Sequence, residues 1–275
     1  DVLTAAPSLP TWVGELYLET HRGTYTTHGE VKRANRKNEL LLREAEMYGT
    51  LASLSDADAD LSSLRSAWSA LLLHQFHDIL PGSSISEVYR DAAEAYPRIE
   101  QTGRQVRDHA LALLVDQMEG SGDLVAFNSL AWTRTDVASA IIPDPGGEVE
   151  VVQPGGRATP AHTVAARDGK AELIFTLDDV PSMAYVALTV RSTTHAATHS
   201  LRATDRGLEN RFFKLDLNAS GEITCLWDKV NQRDVIAEGE TGNQLQLFQD
   251  GPERESAWNV HATFDKRTYA WDPGT

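Results

Sequence analysis

The run His74-Gln75-Phe76-His77-Asp78-Ile79-Leu80-Pro81-Gly82-Ser83-Ser84 gathers side chains that could do chemistry. The residues before it, Leu61, Leu64, Trp68, Leu71 and Leu72, keep an apolar face at helical spacing, so His74 and His77 fall on one side of that helix's last turn. Pro81-Gly82 then stops the helix. A histidine is favoured at the negative end of a helix, whereas the Asp78 carboxylate is repelled by it, so a positive group nearby is expected. An imidazole beside a carboxylate at a helix end can present ligands to a divalent metal such as zinc. Alternatively, His77 caps the last carbonyls and Asp78 opens a turn.

A second stretch, from Leu9 to Thr27, mixes Trp12, Tyr17 and Tyr25 with Glu15, Glu19, His21 and Arg22. Aromatics among carboxylates and an arginine suit a sugar site, where rings stack on the apolar face and forked donors reach the hydroxyls. An interdomain surface would use the same types. His195 and His199 have metal-ligand spacing only in a helix, and their Thr and Ser neighbours argue against one. The Asp56-Ala57-Asp58-Ala59-Asp60 alternation lacks the glycine and distal glutamate of a calcium loop. No glycine-rich phosphate loop and no nucleophile elbow is present in the sequence.

The elements that must position these residues are legible in the periodicity. Leu9 to Thr27 read as strand and loop. Thr27-His28-Gly29-Glu30 has the form of a capping box, and Val31, Ala34, Asn38, Leu41, Ala45 and Tyr48 follow at helical spacing to about Ser53. Asp60 is a candidate N-cap for a second helix. Ser84-Ile85-Ser86-Glu87 makes another capping box for a third, running to about Met118, which Pro97 should kink or break. Short loops between three helices predict an antiparallel bundle. After Gly120-Ser121-Gly122, short apolar runs separated by Pro, Gly and Asp turns predict strands in an antiparallel sandwich, and Phe212–Leu217 with Glu222–Trp227 reads as a hairpin. The fold class is therefore α+β multidomain, an antiparallel three-helix bundle followed by antiparallel β-sandwich domains.

Composition narrows the function. The chain has 275 residues, 41% hydrophobic, with a formal net charge of −15, which opposes a nucleic-acid surface. Lys32, Arg33, Arg36 and Lys37 cluster, but they sit among Glu30, Glu39, Glu44 and Glu46 and read as a solvated face. A lone Cys225 excludes an intramolecular disulfide and fits a reducing compartment. No apolar run is long enough to cross a bilayer, so no membrane partner is expected. A start at Asp1 and an end at Trp271-Asp272-Pro273-Gly274-Thr275 suggest a piece of something longer.

Together these residues resemble glycoside hydrolase family 38, the α-mannosidases, in its cytosolic and bacterial branch. The stretch from Gly14 to Thr27, with Lys32-Arg33-Ala34-Asn35-Arg36-Lys37 and Leu42-Arg43-Glu44-Ala45-Glu46, resembles that branch's exit from its catalytic barrel. His74 to Ser84 resembles its histidine-aspartate loop. Ala126-Phe127-Asn128-Ser129-Leu130-Ala131-Trp132 and Leu208-Glu209-Asn210-Arg211-Phe212-Phe213 resemble landmarks of its β domains. The resemblance implies a retaining α-mannosidase with one zinc ion, a mannose-containing oligosaccharide as substrate, a cytoplasmic location and homo-oligomeric assembly.

By the motif match His77 is a zinc ligand and Asp78 a hydrogen-bond partner of the sugar, with His21 and Arg22 near the sugar subsite. The other branch has two adjacent histidines before the aspartate, and here Phe76 takes the first place. The family's remaining zinc ligands and its aspartate nucleophile have no counterpart in this sequence. On this basis residues 1–27 are the tail of the barrel, 28–119 a three-helix middle domain, 120–195 a small β-sandwich and 196–275 the start of a larger β domain. The fragment is expected to be inactive alone. A noncatalytic carbohydrate-binding or scaffolding module that uses the Leu9–Thr27 aromatics without metal is the competing reading.

Overall fold

Apolar residues spaced three and four apart become three helices, α1 (Gly29–Leu54), α2 (Leu64–His74) and α3 (Ser86–Asp116), and antiparallel sheets follow them. The computed structural model describes residues 11–13, 16, 18, 20–55, 59–118, 120, 122–165, 168–194, 201–251, 255–261, 266 and 268–269. Glu15, Glu19, Tyr17, His195 and His199 lie outside the described residues. The chain divides into two compact units, residues 1–46 with 60–107 and 246–270, and residues 47–59 with 108–245 and 271–275.

In the first unit α1 and α3 run parallel, since His28 stacks on Tyr89 at one end and Gly103 meets Leu41 further along. The end of α2 returns antiparallel to α1, where Gln75 donates to Glu39. The core holds Val31, Leu42, Ala45, Leu64, Ala67, Leu71, Tyr89, Ala92, Tyr96 and Ile99. Pro97 does not break α3, which continues through it to Asp116. The missing N–H is tolerated because helix packing on either side holds the backbone.

The side chains of the two expected capping boxes make other bonds. Thr27 N–H donates to Gly23 O at 3.0 Å, its hydroxyl goes to Gly23 O and Ala257 O, and Glu30 pairs with His28. The Ser84 hydroxyl donates to Asp78 O, and Glu87 pairs with Arg90. Asp60 accepts from Ser62 N–H in a local turn, and α2 starts only at Leu64.

In the second unit Tyr48, Ala52 and Ala110 form a small core joined by Phe127. Strands β1 (Leu124–Phe127), β2 (Arg134–Pro143), β3 (Val149–Val152), β4 (Ala158–Ala165), β5 (Lys170–Val180) and β6 (Tyr185–Ser192) form one antiparallel sheet, in the order β1-β6-β3-β4-β5-β2. Strict alternation along β5 sends Ala171, Leu173, Phe175 and Leu177 to the buried face. Leu124 and Ala126 of β1 and Ala138 and Ala140 of β2 pack on that same core, so the sheet curls to bring its two ends over one interior.

A second sheet contains β7 (Arg202–Thr204), β8 (Gly207–Glu209), β9 (Phe213–Leu217), β10 (Ile223–Asp228) and β11 (Arg233–Asp234), in the order β11-β10-β9-β8-β7. Its β9–β10 hairpin turns at Asn218–Gly221, where the Asn218 side chain accepts from Ser220 N–H and Glu222 N–H. The motifs that carried the resemblance have local structural work here. Asn128 Nδ2 donates to Trp132 O, Val180 O and Pro181 O, and its Oδ1 accepts from Leu130 N–H. Asn210 Oδ1 accepts from Phe212 N–H and Phe213 N–H. Beside it, Lys229 bridges Glu209 and Asn210 O.

Cys225 is half-buried in β10, where desolvation first, and its contact with Asp234 second, raise the thiol pKa above its ordinary value. Alkylation needs the thiolate. Iodoacetamide at pH 8 is therefore expected to label Cys225 at least about tenfold more slowly in the folded chain than in guanidinium, and equal rates would contradict the assignment.

Candidate functional site

Chemistry-bearing residues of the first unit meet where the end of α2, the loop after it and the entry to α1 converge. His74 ends α2, is buried, and donates from Nδ1 to Ala70 O at 2.7 Å. His77 lies past the C-cap Gln75, so the two imidazoles do not share a helical face as the spacing predicted. The reason is that Phe76, Ile79 and Leu80 already close tight turns: Phe76 O accepts from Ile79 N–H and Leu80 N–H at 2.9 and 3.1 Å. The helix thus ends seven residues before Pro81. His74 is a core residue, and His77 is the exposed one, its side chain 74% accessible.

His77 Nε2 stands 3.3 Å from Asp78 Oδ2, and Asp78 Oδ1 accepts from Ser83 Oγ at 3.1 Å. The imidazole and the Ser83 hydroxyl are thus the polar partners of the Asp78 carboxylate on this loop. The loop is pinned from beneath by Tyr89. Its hydroxyl accepts from Ser84 N–H at 2.8 Å and donates towards Asp78 O and Ile79 O at 3.1 and 3.3 Å. Its ring stacks on His28 at 3.8 Å. Gly82, at φ +95°, brings the loop against Thr27, where any Cβ would fall 2.7 Å from Thr27 O. Glycine is required both by that backbone and by that approach.

Lys32 leaves the solvated face to which the sequence assigned it. Its Nζ donates to Thr27 O at 2.6 Å and Leu80 O at 3.0 Å, tying α1 to the loop. Desolvation lowers the Lys32 pKa, opposed by Glu30. Two turns on, Glu39 Oε1 accepts from both Asn35 Nδ2 and Gln75 Nε2, at 3.0 and 2.8 Å.

These residues surround an open cavity of about 630 Å³ lined by Leu18, His21, Thr24, Tyr25, Lys32, Asn35, Gln75, His77, Leu80 and Pro81. Two of the four sequence candidates, His21 and His77, share that lining. Asp78 borders it through His77, whereas Arg22 is exposed at the start of the 3-10 turn Gly23–Tyr25 and does not line it.

Sequence reasoning missed Tyr89, Lys32, Gln75 and Trp258. Trp258 packs edge-to-face on His21, with centroids 4.9 Å apart and an interplanar angle of 87°. Nothing in local spacing flags a contact between residues so distant. Tyr89 could have been suspected, because a tyrosine on a core-facing helical row needs a partner for its hydroxyl.

Zinc in a catalytic site takes about three protein ligands. Among the described residues no group of three or more His, Cys, Asp or Glu could hold a metal ion, so His77 with Asp78 does not amount to a zinc site. No helix among them is long and apolar enough to cross a membrane.

The Tyr89 anchor has a measurable consequence. Tyr89→Phe keeps the stacked ring but removes the acceptor for Ser84 N–H, leaving a partly buried donor unpaired at about 1–3 kcal/mol. Its thermal midpoint should fall, and amide exchange of residues 78–84 should accelerate while α2 is unchanged. Unaltered exchange in this loop would show that the hydroxyl does not hold it.

Comparison with known proteins converges on one family. The profile of the Alpha mannosidase middle domain matches residues 19–114, and that of the Glycosyl hydrolases family 38 C-terminal domain matches residues 208–272. Alpha-mannosidase 2C1 of Homo sapiens is 34% identical over 261 residues, covering 92% of this chain and 23% of its own length. Alpha-mannosidase of Saccharomyces cerevisiae is 35% identical over 137 residues, 48% of this chain and 12% of its own. The chain thus spans about a quarter or less of these relatives. A crystal structure of a glycosyl hydrolase family 38 protein from Enterococcus faecalis shares the fold, with TM-score 0.59 at 21% identity over 85% of this chain and 32% of that one.

Proposed function

From a chain that belongs to glycoside hydrolase family 38, we propose a middle segment of a retaining, zinc-dependent α-mannosidase that hydrolyses terminal α-mannosides of oligosaccharides. The observation that carries this reading is the exposed His77–Asp78 pair, held on a pinned loop at the rim of the cavity that His21 also lines. His77 contributes one zinc ligand, Asp78 accepts a sugar hydroxyl, and His21 and Arg22 flank the sugar. The other zinc ligands and the nucleophilic carboxylate come from polypeptide outside these 275 residues, so the segment alone is inactive. Retaining hydrolysis needs two carboxyl groups about 5 Å apart across the glycosidic bond, one as nucleophile and one as acid. This segment's part is to bind and orient the sugar. Residues 28–119 form the middle domain and 120–195 a first β domain, and the larger β domain starts near residue 196. The enzyme acts in the cytoplasm as a homo-oligomer.

Calorimetric zinc titration of the 275-residue chain at neutral pH, with His77→Ala as control, tests the assignment. Weak or absent binding is expected, together with no turnover of an aryl α-mannoside. Tight zinc binding, or turnover by the purified chain, would require a different ligand set within it.

The exposed Trp12 and Tyr25, 70% and 55% accessible, favour one competitor, a noncatalytic carbohydrate-binding module. It requires sugar binding that neither zinc nor His77→Ala alters, and no mannosidase activity in the complete protein.

A further inference from the structure

We propose that Lys32 contacts the sugar in the cavity lined by His21 and His77, donating its third N–H to one hydroxyl oxygen, an assignment that rests on reading that cavity as a mannoside site. Lys32 stands on the first turn of α1 and is itself one of the lining residues. An ammonium has three N–H donors and no acceptor. Two are engaged, one with Thr27 O at 2.6 Å and one with Leu80 O at 3.0 Å. Among the described residues Lys32 has no other hydrogen-bond partner and no ion pair, so the third donor is free.

The two carbonyls fix the head group between the entry to α1 and the loop that carries His77. Leu80, which supplies one of them, lines the cavity as well. Gripping a ligand normally costs a lysine much of its rotamer freedom, but here the side chain is already ordered. It is half-buried, and desolvation lowers its pKa, so the free N–H has lost part of its hydration without gaining a protein acceptor. The described lining residues include no aspartate, glutamate, arginine or second lysine, so among them Lys32 is the fixed cation. Glu39, which is not one of them, holds the lining amides of Asn35 and Gln75 and so engages one N–H of each. A hydrogen bond from the ammonium to a sugar oxygen is charge-assisted and depends on which carbon bears that oxygen. It therefore discriminates between sugars that differ at one hydroxyl.

The test is kinetic, in the complete enzyme with zinc, on an aryl α-D-mannoside and its four monodeoxy analogues. Lys32→Met should lower kcat/KM for the parent mannoside by about 10–100-fold. For one of the deoxy analogues it should change kcat/KM by less than about threefold, because the acceptor is already gone. Loosening of the loop would lower all five substrates by one common factor, and Tyr89→Phe, which frees the same loop without touching Lys32, provides that reference. A common factor for Lys32→Met, or no loss on any substrate, overturns the assignment. If Lys32→Met loses its helical circular dichroism, labelling of the wild-type enzyme decides. Saturating mannoside should then suppress reductive methylation of Lys32, read by mass spectrometry, and leave the exposed Lys37, which does not line the cavity, unchanged. Equal labelling of Lys32 with and without the sugar overturns the assignment. Turnover of the parent mannoside by the wild-type enzyme reports separately on the mannosidase reading. Its absence removes that reading and this one with it, whereas turnover with an unselective Lys32→Met removes only this one.

Discussion

On the proposed reading, in which His77 is a zinc ligand, changing it to alanine in the complete enzyme should lower zinc affinity by more than about 100-fold, beyond the 10–100-fold typical of losing an outer-shell partner, with a comparable loss of mannoside turnover. The zinc effect follows from the proposed ligand role, and the preserved fold follows from position. His77 is exposed and its Nε2 faces Asp78, so removing the ring opens no cavity and leaves the fold intact. His74→Ala provides the contrast. His74 is buried, its Nδ1 bonded to Ala70 O and its ring 5.1 Å from that of Tyr96. That variant should lose stability while the protein that remains folded keeps its zinc. If His74→Ala instead removes zinc and His77→Ala does not, the ligand has been assigned to the wrong histidine.

The second large effect concerns the bundle. Leu42 is completely buried in the core of the helical unit, and Leu42→Ala should cost about 2–5 kcal/mol of unfolding free energy. Across from it, Gly103 lets α3 approach α1, and an added Cβ would sit 2.9 Å from Leu41 Cγ and 3.1 Å from Leu42 Cδ2. Gly103→Ala alone gains about 1 kcal/mol of helix propensity and loses about 1–3 kcal/mol to overpacking, so it destabilises modestly. Combined with Leu42→Ala, the new methyl loses only its 3.1 Å contact with Leu42 Cδ2 while those with Leu41 stay, so the pair should be slightly less damaging than the sum of the singles. Urea denaturation of the four proteins closes the cycle. Strict additivity would show that Leu42 does not limit the space at Gly103.

Periodicity was a reliable guide to the elements and a poor one to their ends. Apolar rows fixed three helices because burial of a stripe outweighs the local preference of any one residue, Pro97 included. Helix entries are less legible for a related reason. Thr27 and Ser84 have the residue types of N-caps, and their hydroxyls also donate to carbonyls that spacing does not flag, Gly23 O and Ala257 O for Thr27 and Asp78 O for Ser84. The site was half legible. His77 and Asp78 stand out as residue types on a loop, and their pairing needs no knowledge beyond adjacency. Lys32 was read as one charge in a solvated row, and only the fold shows it bridging Thr27 O and Leu80 O. Trp258 was invisible, since no periodicity links it to His21.

That last junction also sets an order of events. Thr27 and Ala257 are 230 residues apart, yet the hydrogen bond between them helps hold the entry to α1. A ribosome adding about 5–20 residues per second needs roughly 10–50 s to span that interval. Through this time the three helices can already pack, because their contacts lie within the segment already made. The His21–Trp258 contact cannot form until the chain around Trp258 emerges. A nascent chain arrested before residue 255 should therefore carry a protected helical bundle and an open, protease-sensitive stretch around Gly23.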